Sequence, residues 1–177
     1  MEGTLVVGCG NPLPTTSVPS TGCGNPLRGD DAAGPELVRR LVERGLPAGV
    51  RCIDAGTGGI DAVLSMRGAD DVIVVDACRS GGDPGALFEI SGDEASRSPP
   101  SVVALHAVRW DHAVALARGL LGPDAPRRIT VWLVEAASFE PGAPLSPAVD
   151  RAVDELARRV LERSHAAGVS DRVATGT

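Results

Sequence analysis

Asp30 and Asp31 stand side by side between a glycine-rich turn, Gly22-Cys-Gly-Asn-Pro-Leu-Arg-Gly29, and an amphipathic run from Pro35 to Arg44. Carboxylates are hard oxygen donors and, when well placed, general bases. Asp54 and Asp76 each close a short apolar run farther along, and His106 precedes a helical run in Leu105-His-Ala-Val-Arg-Trp-Asp-His112. Asp31, Asp76 and His106 together offer two carboxylates and one imidazole. That set suits a divalent transition metal such as nickel or zinc, with coordination positions left open. Asp30 and Asp54 are candidate bases. Each acid also has a plain structural use: an aspartate at a helix start caps it, worth about 1 kcal/mol, and Asp76 suits capping of the turn Ala77-Cys-Arg-Ser80. Two adjacent acids exceed what one cap needs, so one can cap while the other projects. Among the other histidines, His112 competes with His106 from within a helical run, and His165 lies near the chain end.

Absent residues exclude several chemistries. All seventeen basic residues are arginine and there is no tyrosine. A phosphate loop ending in Gly-Lys, a Schiff-base enzyme and a Ser–Lys dyad are therefore ruled out. Cys9, Cys23, Cys52 and Cys78 show no C-x-x-C spacing, which removes zinc-ribbon and dithiol readings. No H-E-x-x-H or G-x-S-x-G occurs, and the Gly-x-Gly turn has leucine where a dinucleotide fingerprint needs its third glycine. A net charge of −6 argues against binding nucleic acid. The strongest apolar window, Asp71 to Ala77, is too short for a bilayer, and the N-terminus lacks the pattern of a secretion signal, so no membrane partner and a cytoplasmic location are expected.

The elements that must position these residues alternate. Thr4 to Gly8, Val50 to Asp54, Val72 to Asp76, Ala86 to Ile90 and Ile129 to Val134 read as strands, the third apolar on both faces like a central parallel strand. Helical runs start near Pro35, Ile60, Arg109 and Ser146, where Ser146-Pro147 supplies an N-cap and a first-turn proline. The expected fold is a three-layer α/β/α sandwich around a mostly parallel, roughly five-stranded twisted sheet. Its ligand crevice lies beyond the strands' carboxyl ends, where Asp31, Asp54 and Asp76 fall. One domain over residues 1–166 is expected, with a flexible tail at 167–177 and an exposed loop from Gly92 to Ser101.

Gly24-Asn-Pro-Leu-Arg-Gly-Asp-Asp-Ala-Ala-Gly34 resembles the signature of the NiFe-hydrogenase maturation endopeptidases. The resemblance continues through Asp54-Ala-Gly-Thr-Gly-Gly59, Val74-Val-Asp-Ala-Cys-Arg-Ser-Gly-Gly82 with Pro84-Gly85, His106, Phe139-Glu-Pro141 and Leu145-Ser-Pro-Ala-Val149. It implies a three-layer α/β/α fold and removal of a C-terminal extension from the immature hydrogenase large subunit after nickel insertion. The family is classed as aspartic-type. Its metal-binding positions fall on Asp31, Asp76 and His106, with nickel carried by the substrate and other divalent metals able to occupy the site. Whether metal or a carboxylate such as Asp30 or Asp54 activates water stays open.

One departure stands out. Gly8-Cys-Gly-Asn-Pro-Leu13 repeats the first half of the motif fourteen residues upstream, so a loop at about 14–21 is inserted between the first strand and the acid pair. Either copy can occupy the turn. An alternative reading is thus a non-catalytic binding module that checks nickel loading. A third is a nucleotide-binding α/β protein.

Overall fold

β3 (Asp71–Cys78) is the axis of the molecule: Val72 to Val75 are buried, and its side chains divide between two cores. The computed structural model describes residues 4–8, 25, 27–54, 59–95 and 110–174. Val72 and Val74 point to one face, with Val63, Met66, Leu121, Val131 and Leu133. Ile73 and Val75 point to the other, with Leu37, Leu41, Trp132, Val134, Val153 and Leu156. This alternation follows from the two-residue period of a strand, and burial on both faces makes the sheet the middle of three layers.

The strand order is β2-β1-β3-β5-β4, from β1 (Thr4–Gly8), β2 (Val50–Asp54), β4 (Leu87–Ser91) and β5 (Arg128–Glu135). The first four positions pair in parallel, while β4 runs antiparallel to β5 at the edge. The sheet is therefore mixed. α1 (Ala33–Arg44) and α5 (Pro147–Ala174) cover one face; α2 (Gly59–Ser65) and α4 (Trp110–Leu121) cover the other. Between α1 and α5, Arg40 is clamped by Glu36 of its own helix and by Asp150 and Asp154 across the gap.

Four local expectations change. Asp30 and Asp31 do not cap α1 with their side chains; they lie in a 3-10 turn, Gly29–Ala32, that feeds the helix. Asp76 lies within β3 rather than closing it, because pairing with β5 continues to Cys78↔Glu135. Of the exposed loop expected from Gly92 to Ser101, Gly92–Ala95 forms one helical turn, α3, with Gly92 buried and Asp93 and Glu94 exposed, and 96–101 lie outside the described residues. α5 runs on to Ala174, past the expected fraying point, since no proline interrupts it. Ser146 does cap α5, its hydroxyl accepting from the Val149 N–H at 3.4 Å. The inserted loop and both copies of the Gly-Cys-Gly motif lie, apart from Gly8, Asn25 and Leu27, outside the described residues.

Candidate active site

The sheet reverses its winding between β1 and β3, since β1 has β2 on one side and β3 on the other. Open α/β sheets form their crevice at such a reversal. β1 ends at Gly8, opposite Val75, whereas β3 continues to Cys78. Asp76 is therefore the first residue of β3 beyond the end of β1. Its Oδ1 accepts the Ala77 N–H at 2.8 Å, which orients the carboxylate locally.

Asp31 reaches the same place from the 3-10 turn. Asp31 and Asp76 line one groove of about 960 Å³, together with Cys78, Arg79, Phe88 and Phe139 among others. Asp31 is half-buried, and its Oδ2 accepts the Asn25 N–H at 3.0 Å. Burial raises its pKa above the usual aspartate value; the Asn25 amide and the nearby Arg28 charge oppose this without cancelling it. A proton thus competes for this carboxylate at higher pH than for a free aspartate. The two carboxylates are the hard-donor half of the expected metal set. His106 lies outside the described residues, as do the side-chain placements of His112 and His165. Among the described residues, no group of three metal-binding side chains converges.

The two candidate bases go elsewhere. Asp30 is 1% exposed and does not line the groove. Its Oδ2 accepts the Ala137 and Ser138 N–H groups at 2.8 and 3.0 Å, and its Oδ1 accepts that of Ser146 at 2.6 Å. It is a structural anchor that ties the turn bearing Asp31 to the β5–α5 connection. Gly29 makes the approach possible: its φ is +56°, and a Cβ there would stand 2.8 Å from the Ser138 carbonyl oxygen. Asp54 ends β2 opposite Gly8 and is not among the residues lining the groove.

Sequence reasoning passed over Glu135. It ends β5, is 1% exposed, and faces Cys78 in the sheet register. Its carboxylate accepts the Ser80 hydroxyl at 2.6 Å, the Ser80 and Gly81 N–H groups at 2.9 Å, and the Cys78 thiol at 3.3 Å. The Ser80 hydroxyl, then the backbone amides, hold its pKa down to about 2 against the effect of burial. Burial, with Glu135 beside it, pushes the Cys78 thiol up to about 12, so it carries no thiolate at neutral pH. Glu135 thereby moulds the loop after β3 that presents Arg79. The Arg79 guanidinium lies 5.2 Å from the Phe139 ring centre and donates to the Ala137 carbonyl at 3.3 Å. The only sequence signal for Glu135 is an acid closing an otherwise apolar strand.

Two carboxylates from separate elements thus line one groove at the carboxyl edge of the sheet. The model of the hydrogenase maturation protease (HycI) family matches residues 35–163. The chain belongs to this family. It is 27% identical over 167 residues to the hydrogenase 2 maturation protease of Escherichia coli K12, covering 93% of this chain and 92% of that one. With the hydrogenase expression/formation protein HoxM of Azotobacter vinelandii it shares 32% identity over 164 residues, 86% of this chain and 78% of the relative. Among solved structures, the hydrogenase maturating endopeptidase HybD from E. coli superposes with a TM-score of 0.71 at 25% identity, covering 94% of each chain. The family match begins at Pro35, just after the acid pair, so Asp30 and Asp31 are placed by the fold and not by that match. No described helix is long and apolar enough to cross a membrane.

Proposed function

We propose that this member of the protease family is an endopeptidase that removes the C-terminal extension of an immature NiFe-hydrogenase large subunit, and that it recognises the nickel already inserted there. The observation that carries the reading is the convergence of Asp31 and Asp76, from two separate elements, on one groove at the β1/β3 reversal. In this reading both carboxylates bind the nickel of the substrate, and His106 supplies the imidazole. Nickel so held marks a finished large subunit and fixes the scissile bond beside it. The metal can polarise the carbonyl or lower the pKa of a water. The aspartic-type alternative assigns water activation to a carboxylate. Asp31, with its raised pKa, fits that task better than Asp30, whose oxygens are taken up by amides. A cytoplasmic location goes with this role.

The test is incubation of the purified protein with the nickel-loaded precursor and, separately, with the nickel-free precursor. Shortening of the loaded form alone is expected. Equal shortening of both forms removes nickel from the recognition step, and a lack of shortening refutes the endopeptidase.

A further inference from the structure

β4 ends the sheet, and among the described residues it pairs with β5 alone. Natural edge strands are usually guarded by lysine, proline, a bulge or a covering element. Leu87-Phe-Glu-Ile-Ser91 carries a single charge, Glu89, with Arg163 at 3.6 Å. The groove holding Asp31 and Asp76 continues along this strand: Leu87, Phe88, Glu89 and Ile90 all line it. Consecutive strand residues point to opposite faces, so a groove touched by all four follows the edge of the strand rather than one face.

Hydrogen-bond parity decides which backbone groups meet that edge. The Glu135 N–H donates to the Ala86 carbonyl at 2.9 Å. In an antiparallel ladder the bonded pairs recur at every second residue. Phe88 and Ile90, opposite Leu133 and Val131, therefore turn their N–H and C=O toward β5. Those of Leu87 and Glu89 point away from β5, to the edge that no other described strand pairs.

We propose that the precursor polypeptide docks as an added strand on β4, hydrogen-bonded to the backbone of Leu87 and Glu89, with its chain leading toward Asp31 and Asp76. This rests on the endopeptidase reading and adds how the substrate chain is held. Strand addition suits the task, because main-chain bonds hold a segment extended with its peptide groups accessible. Continuity of the groove with the two carboxylates argues for substrate rather than a second copy. Phe88, 37% exposed, and Phe139 give apolar contacts for alternate side chains of the segment.

Backbone amide exchange on the full chain tests this, with nickel-loaded precursor as the probe. Exchange at Leu87 and Glu89 should slow at least tenfold when precursor is added. Glu89→Pro removes one outward N–H and spares the ladder to β5. It should bind precursor at least tenfold more weakly than Glu89→Ala, the two being compared at matched melting temperature. Precursor shortened by the wild type without protection of these amides overturns strand addition. Precursor bound with protection but never shortened supports the docking and refutes the endopeptidase. Protection produced by raising the concentration of the protein alone identifies a second copy as occupant and overturns the proposal. Precursor neither bound nor shortened overturns both.

Discussion

Between α1 and α5, acids meet arginines; at the carboxyl edge of the sheet, they meet backbone amides. Arg40 alone engages Glu36, Asp150 and Asp154, and Arg158 engages Glu155 and Glu162 along α5. At the sheet edge, Asp30 takes three N–H groups, and Glu135 takes two together with a hydroxyl and a thiol. A guanidinium cancels the charge of its partner, whereas an amide orients an anion and leaves its charge in place. The first arrangement glues helices. The second builds a rim of fixed loops behind the groove that Asp31 and Asp76 line.

The comparison breaks most visibly at Asp30. Asp30→Ala takes the acceptor from three part-buried N–H groups, those of Ala137, Ser138 and Ser146, and should cost about 2–4 kcal/mol in urea unfolding, given about 1–3 kcal/mol for a group left fully buried and unsatisfied. A loss below about 1 kcal/mol would mean that water replaces the carboxylate and that the rim is not rigid. Asp76→Asn keeps an oxygen for the Ala77 amide but removes the anion. Processing of loaded precursor should fall about 100-fold or more while the melting temperature holds. Wild-type processing by this variant would detach the rim from metal recognition.

Acid titration sharpens the contrast. Glu135 titrates near 2 in the folded chain against an ordinary 4.5, so its stabilisation is complete above about 4.5 and disappears as pH falls toward 2. Glu135→Gln should flatten the fall in melting temperature across that window, and an unchanged slope would locate the acid sensitivity elsewhere. The smallest effects belong to the helices. Arg40→Ala should cost about 1–2 kcal/mol, less in high salt, because its side chain is 11% exposed and bridges two helices. Arg158→Ala, whose partners lie on its own exposed helix face, should leave the melting temperature unchanged.

Much of this was legible in the sequence. Val72 to Val75 announced a central strand because a short, unbroken apolar run suits a strand buried on both faces. The placement of Asp31 and Asp76 beside one crevice was legible from their positions after the first strand's turn and toward the carboxyl end of the third strand. The roles of Asp30 and Glu135 were not. Asp30 meets Ser146 across 116 positions and Glu135 meets Ser80 across 55, and no local pattern encodes such an approach. Asp76 read as a strand terminus because Ala77 and Cys78 carry little strand signal; pairing with β5 extends the strand through them. The helical turn at Gly92 was hidden for a related reason: Gly92 sits tightly against Ile129, a contact visible only in the folded chain.

Asp30 joins the start of α5, the loop after β5 and the turn carrying Asp31 through one carboxylate. In many small proteins a cystine or a structural zinc performs such a clasp. Here the fastening involves neither sulfur nor metal, so reductants and chelators have nothing to cut. Nickel can be stripped from a reaction with a strong chelator while this frame stays closed. On the proposed reading, a scaffold that inspects a metal is in this way indifferent to the supply of that metal.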